Sequence, residues 1–180
     1  MVVRVIGVVG PSGVGKDTVM EAMAAADTRV HLVRRVITRE AGAGGENSVE
    51  ASDAEFDALV AADAFAIWWA AHGLRYGVPR DTLAEASGDA IVLVNLSRGV
   101  LDLARSSFED FAVLSLRAGI PVLAARLAAR GRETAEGIEG RLARASHKRP
   151  EGADVIEIAN DGALEDTVMR ALAALQPVRV

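Results

Sequence analysis

Gly10-Pro11-Ser12-Gly13-Val14-Gly15-Lys16-Asp17-Thr18 is the stretch that decides the fold of this chain. It follows the β-branched apolar run Val5-Ile6-Gly7-Val8-Val9 and leads into Val19-Met20-Glu21-Ala22-Met23-Ala24, which reads as a helix. Strand, glycine loop and helix in that order are the context of a phosphate-binding P-loop. Successive backbone N–H groups of such a loop point at one phosphate, and the helix N-terminus adds partial positive charge. Lys16 would reach the outer phosphate oxygens as a mobile point charge. It is one of two lysines, with Lys148, in a chain that otherwise uses arginine. The bland alternative, a tight βα turn, does not require a lysine at this spacing. Asp17 stands where a magnesium-touching Ser or Thr is usual, and Thr18 follows. Either the hydroxyl is displaced by one residue or the Asp17 carboxylate meets the metal.

Working outward, 180 residues suit one domain with a substantial core. Apolar residues make up 51% and aromatics only 4%, which suits layers packed with small and branched side chains. A net charge of −5 argues against a general nucleic-acid surface. Without cysteine there are no disulfides or thiolate metal sites, and the three scattered histidines form no metal-binding pattern. No apolar run reaches the length of a membrane span, and the first one flows straight into the glycine loop. A cytoplasmic protein is the expectation.

The rest of the chain alternates strand-like and helix-like segments. His31–Ile37 reads as a strand and Thr38–Val49 as a loop. Ser52-Asp53-Ala54-Glu55 is a capping box opening a helix with Phe56, Leu59 and Val60 on its apolar face. Phe65–Trp69 reads as a strand, His72–Pro79 as irregular, and Ala90–Val94 as a buried strand. Ser97 is placed to cap a helix reaching about Arg105. Phe111–Leu116 and Val155–Ile158 read as strands, Pro121 opens a helix to Ala129, and Leu164–Leu175 reads as the last helix. This predicts an α/β fold, a mainly parallel sheet with helices on both faces and inserted lobes.

Arg126, Arg130, Arg132, Arg141, Arg144, Lys148 and Arg149 crowd into a short region broken by Gly131 and Gly137. A solvated, salt-bridged helix pair accounts for any one of them. For Arg130 and Arg141, flanking the broken turn, a mobile lid is the better reading. Its closure would bring guanidinium groups onto a transferring phosphoryl group and exclude water.

With these residues in view, the chain resembles the guanylate kinase-like P-loop kinases, and within them the ribose 1,5-bisphosphate phosphokinase branch. The likeness runs nearly end to end. It rests on Gly10–Thr18, Val36-Ile37-Thr38-Arg39, Glu46-Asn47, Phe65–Gly77, Val94–Gly99, Arg126–Arg141 and Asn160-Asp161-Gly162. Lys16-Asp17, Glu46-Asn47 and Asn95 fit the ribose-bisphosphate branch better than guanylate kinase itself. The resemblance implies a single domain over 1–180, an acceptor lobe at about 37–80 and a lid at about 130–141. It also implies ATP as donor, Mg²⁺ as cofactor and a small phosphorylated sugar as substrate, with no role for nucleic acid or membrane.

Residue by residue, the resemblance assigns Gly10, Pro11, Ser12, Gly13, Val14, Gly15 and Lys16 to the donor phosphates. Asp17 and Thr18 fall near the metal, and Asn160 and Asp161 at the adenine pocket. Arg130 and Arg141, with Lys16, serve the transferring group. Arg39, Arg75, Tyr76, Glu46 and Asn95 serve the acceptor. The departures from guanylate kinase matter physically. Ile67 replaces a glutamate that reads guanine, and Val78 replaces a serine that helps it. Gly42 replaces the second arginine of the acceptor loop, Ser48 a phosphate-binding tyrosine, and Arg75 stands ready to offset the lost arginine. A site that leaves a purine's polar edge unpaired loses discrimination for it. Competing readings are a true nucleoside-monophosphate kinase and a non-catalytic guanylate kinase-like module. The latter would lack the loop lysine and lid arginines. A GTPase switch would need an Asn-Lys-x-Asp signature, which is absent.

Overall fold

From Arg4 to Val9 the side chains of the first strand alternate between two buried faces, and the whole architecture follows from that alternation. The computed structural model describes residues 3–39, 48–84, 86, 88–129 and 149–175. In chain order the elements are β1 (Arg4–Val9), α1 (Lys16–Ala26), β2 (Val30–Leu32), β3 (Val36–Thr38), β4 (Val49–Ala51) and α2 (Asp53–Ala61). Then come β5 (Phe65–Ala71), β6 (Leu74–Pro79), α3 (Arg80–Ala84), β7 (Ile91–Asn95), a 3₁₀ turn (Arg98–Val100) and α4 (Leu101–Ser107). β8 (Phe111–Arg117), α5 (Ile120–Ala129), β9 (Val155–Ala159) and α6 (Leu164–Leu175) complete it.

The main sheet has five parallel strands in the order β2-β7-β1-β8-β9, with the strand that feeds the glycine loop at its centre. Ile6, Val8, Leu93 and Leu114 pack on one face with Val19 and Met23 of α1, Leu123 of α5, and Val168 and Leu175 of α6. Val5, Val9, Val92, Val94 and Val113 form the other face. There they meet Leu101 and Ala104 of α4 and the inner side chains of a second sheet, Ile37, Ile67, Trp69, Tyr76 and Val78. Near-continuous apolar strands are what a doubly covered parallel sheet demands. Gly7 is needed because a Cβ there would lie 2.8 Å from the Phe111 ring and 2.9 Å from Leu96.

The second sheet runs β4-β3-β6-β5, with β3–β4 parallel and the other pairs antiparallel. Here three expectations are corrected. His31–Ile37 is two strands in two sheets: β2 pairs with β7, Val33 donates one more hydrogen bond to the Leu93 carbonyl, and the chain then crosses over. The end of the loop expected over Thr38–Val49 enters β4, whose three residues pair with β3. His72–Pro79 is a hairpin turn and a strand. His72 (φ 54°) and Gly73 (φ 74°) form a two-residue turn with positive φ at both positions, which matches the twist of the flanking strands.

The capping box forms as expected. Glu55 N–H donates to Ser52 Oγ (3.2 Å) and Ser52 N–H to Glu55 Oε2 (2.7 Å), which holds the Glu55 carboxyl below its ordinary range. Ser97 does not cap α4. Its side chain makes no capping bond, and the 3₁₀ turn intervenes with Val100 at the helix start.

Candidate active site

The glycine loop leaves the carboxyl end of β1 and delivers α1 with Gly15 at its N-cap, in the left-handed region (φ 91°). A Cβ on Gly10 would come 2.6 Å from the Leu116 carbonyl, so only glycine lets the loop lie this close to β8. Lys16 Nζ folds over its own loop, donating to the carbonyls of Gly10 (3.0 Å) and Pro11 (3.4 Å).

The Val14 carbonyl is held from behind by two donors. Asn160 Nδ2 lies 2.8 Å away and Arg126 Nη1 3.2 Å away. Asn160 is buried, and its Oδ1 accepts from the equally buried Thr167 hydroxyl (3.0 Å). Because a trans peptide points its C=O and N–H in opposite directions, fixing the Val14 carbonyl aims the Gly15 N–H away from Asn160. Asn160 thus lies under the loop with both ends of its amide engaged. Asp161 is exposed, and its Oδ1 accepts from the Gly119 N–H (2.6 Å), tying the β8–α5 and β9–α6 links together.

At the next strand end, Asn95 is buried and its Nδ2 donates to Asp17 Oδ1 (3.0 Å). Thr18, one residue on, is exposed in the first turn of α1. Asp17 and Asn95 line a cleft with Glu21, Arg34, Arg35 and Ser48, between α1 and the crossing to the second sheet. Magnesium favours hard oxygen ligands, keeps several waters and takes one or two carboxylates beside substrate phosphates. A carboxylate on the first helical turn after Lys16 fits that donor set. Among the described residues no group of three or more His, Cys, Asp or Glu converges as an all-protein metal cage.

Arg75 and Tyr76, expected to hold acceptor phosphates, are neighbours on a strand and face opposite sides. Tyr76 points inward, stacked on Trp69 at 5.3 Å and 11°. Arg75 points to α2. Its guanidinium bonds the Asp57 and Asp53 carboxylates and lies 4.7 Å from the centre of the Phe56 ring. The two carboxylates hold the Arg75 pKa above its ordinary value. Arg39 lines a separate cleft with Thr38, Glu50, Ser52, Asp53 and Glu55. Glu46, Arg130 and Arg141, and the expected lid, lie outside the described residues.

Of the pair Arg34-Arg35, in which strand alternation lets at most one turn inward, Arg35 is the buried one. It is 6% exposed, and its guanidinium carbon lies 5.1 Å from the Tyr76 ring centre and 5.8 Å from that of Trp69.

The fold and the loop define a P-loop kinase of guanylate kinase-like architecture. Among solved structures, guanylate kinase from Anaplasma phagocytophilum superposes with a TM-score of 0.63, covering 97% of this chain and 84% of its own at 17% identity. A gluconokinase from Sinorhizobium meliloti gives 0.51, covering 96% and 90% at 24% identity. No protein-family model matches the chain. The ribose 1,5-bisphosphate phosphokinase PhnN of a Ruegeria species is 56% identical over 176 residues, 97% of this chain and 93% of that protein. Those of Rhizobium etli and Pseudomonas paraeruginosa are each 43% identical, over 93% and 96% of this chain and 87% and 95% of theirs. The chain belongs to the ribose 1,5-bisphosphate phosphokinase family. Among the described residues no helix is long and apolar enough to cross a membrane.

Proposed function

We propose that the chain transfers the γ-phosphoryl group of ATP to ribose 1,5-bisphosphate, giving ADP and 5-phospho-α-D-ribose 1-diphosphate. The observation that carries this reading is the burial of Ile67 and Val78, 4% and 0% exposed, inside an apolar cluster. Both occupy positions where the guanylate kinase pattern needs polar groups for the base. Base reading is dismantled while the phosphate loop stands, and the relatives' names point to an acceptor with no base.

The 1-phosphate of the acceptor is already anionic at neutral pH, so its oxygen attacks the γ-phosphorus without a general base. The P–O bond to the β-phosphate breaks and ADP leaves with those electrons. The obstacle is repulsion between two polyanions, which positioned cations must offset while holding the groups in line. Lys16 and the loop amides take the donor phosphates. Asp17, steadied by Asn95, would hold Mg²⁺ with Thr18 nearby, and the bound ion would neutralise donor phosphate oxygens. Arg130 and Arg141 close on the transferring group from a lid at about 130–141. Arg39, Tyr76 and Glu46 belong to an acceptor lobe at about 37–80 within one domain over 1–180. Asp161 lies toward the adenine, and Asn160 acts from beneath the loop. The proposed use of ATP goes with a cytoplasmic location.

An acceptor screen with ATP tests this, comparing ribose 1,5-bisphosphate with the common nucleoside monophosphates. The bisphosphate is expected to be turned over fastest. Faster turnover of GMP or another nucleotide would make the chain a nucleoside-monophosphate kinase, and no turnover of any acceptor would make it a non-catalytic module.

A further inference from the structure

Thr167 is the one polar side chain that α6 buries, beside Val168, Ala171 and Leu175. It is 0% exposed, and valine would fill the same volume without a hydroxyl to satisfy. Its Oγ1 lies near three acceptors: Asn160 Oδ1 at 3.0 Å, the Ala163 carbonyl at 3.3 Å and the Ala159 carbonyl at 3.5 Å. A hydroxyl carries one proton, so it donates to one of them at a time. A bond to Ala163, one turn back, would make Thr167 self-sufficient within its helix.

The polarity of the bonds beyond it decides the matter. The Val14 carbonyl can only accept, so the Asn160 amide must turn Nδ2 toward it, at 2.8 Å. That leaves Oδ1 facing α6 in the protein interior, where it needs a donor. The Thr167 hydroxyl meets it there, in the shortest of the three contacts. Reversing the amide would set its oxygen against the Val14 carbonyl oxygen, two acceptors with no proton between them. The loop rests directly on this group, since a Cβ added at Gly15 would come 3.1 Å from Asn160 Nδ2. The Asn160 main chain is itself held, its N–H donating to the Arg117 carbonyl at 2.7 Å. Arg126, the other donor to Val14, is farther away at 3.2 Å and only half-buried.

We infer that Thr167 is a positioning residue for the donor nucleotide. Its hydroxyl fixes which way the Asn160 amide faces, and through Val14 it fixes the direction of the Gly15 N–H in the phosphate loop. Thr167 is fully buried, so it acts through Asn160 and not on a ligand. This rests on the function proposed above, in which the loop takes the phosphates of ATP.

The test is calorimetric titration of ADP, with Mg²⁺ present, into wild type, Thr167→Val and Thr167→Ser, with steady-state kinetics of each. Thr167→Val keeps the volume and loses the hydroxyl, whereas Thr167→Ser keeps the hydroxyl and loses a methyl group. Positioning and packing therefore predict opposite orders of affinity. Thr167→Val is expected to weaken ADP binding and raise ATP KM by about fivefold or more, the scale of one ordinary hydrogen bond. Its KM for ribose 1,5-bisphosphate should stay within about twofold of wild type, as should ADP binding by Thr167→Ser, both differences smaller than that one bond. Should Thr167→Val fail to fold, Thr167→Ala against Thr167→Ser decides, because those two differ by the hydroxyl alone; equal ADP affinities would overturn the assignment. ADP affinity unchanged in Thr167→Val, with wild type binding normally, overturns the positioning role alone. Affinity weakened more by Thr167→Ser than by Thr167→Val, or equal losses for both substrates, overturns it in favour of packing. A wild type that binds no ADP overturns the functional reading and this assignment together.

Discussion

Asn95 at the end of β7 donates its amide to Asp17 on the first turn of α1, across 3.0 Å. The two residues are 78 positions apart, and the parallel pairing of β7 with β1, with Asn95 opposite Val8, brings them together. The carboxylate that the sequence leaves as one of two metal candidates is thereby steadied, whereas Thr18 faces solvent.

Asp17→Asn should raise the Mg²⁺ concentration for half-maximal activity by tenfold or more, on the order expected when a ligand of a hard cation loses its charge. Asn95→Leu should do the same more weakly. A magnesium titration at saturating substrates measures both, and an unchanged midpoint in Asp17→Asn would move the metal to Thr18.

Lys16→Ala should leave the fold intact, because the Gly10 and Pro11 carbonyls that Nζ bonds belong to its own loop rather than to the core of the sheet. Its kcat should fall by about a hundredfold or more, the scale seen when a positioned charge-stabilising donor is removed. Near-normal turnover would remove Lys16 from the chemistry.

Asn160→Ala removes a buried donor from Val14 and leaves the Thr167 hydroxyl without its partner amide. Loss of such buried bonds costs about 1–3 kcal/mol. Denaturant unfolding should show that loss, and ATP KM should rise more than acceptor KM because the defect lies beneath the donor loop. Equal effects on both substrates would argue for general loosening.

Arg75→Ala should change acceptor KM by less than about twofold, since its guanidinium is held on α2. It should lower the melting temperature slightly. A large acceptor defect at normal stability would return Arg75 to the binding site.

Acid unfolding offers an independent check. The Arg29 side chain and N–H beside Asp27 bring its carboxyl down from 3.8 to about 2. A group with a depressed folded pKa stabilises the fold fully above its unfolded value and loses that contribution as pH falls through the folded one. The stability gap between wild type and Asp27→Asn should therefore narrow between about pH 4 and pH 2, as followed by urea unfolding.

Much of this molecule is legible in its sequence where one local rule governs. Val5–Val9 followed by Gly10–Lys16 reads correctly because a buried parallel strand and a glycine loop each leave a local mark. Ser52–Glu55 reads correctly because a capping box is a short-range bond pattern. Val33-Arg34-Arg35-Val36 does not, since a strand run that changes sheets carries no glycine or proline at the crossing. Alternation says that at most one of Arg34 and Arg35 turns inward but not which, because that depends on Tyr76 and Trp69 in a hairpin more than thirty residues on. Arg75 shows the converse. Its residue type suits an anion, but strand alternation turns it to the carboxylates of α2.

The pairing of Val8 with Asn95 has one more consequence. A slide of β7 by a single residue would bury the amide on the wrong side and set Val94 or Leu96 against the Asp17 carboxylate. Substitutions deep in the sheet, far from any ligand, can then surface as a change in magnesium requirement before they surface as unfolding.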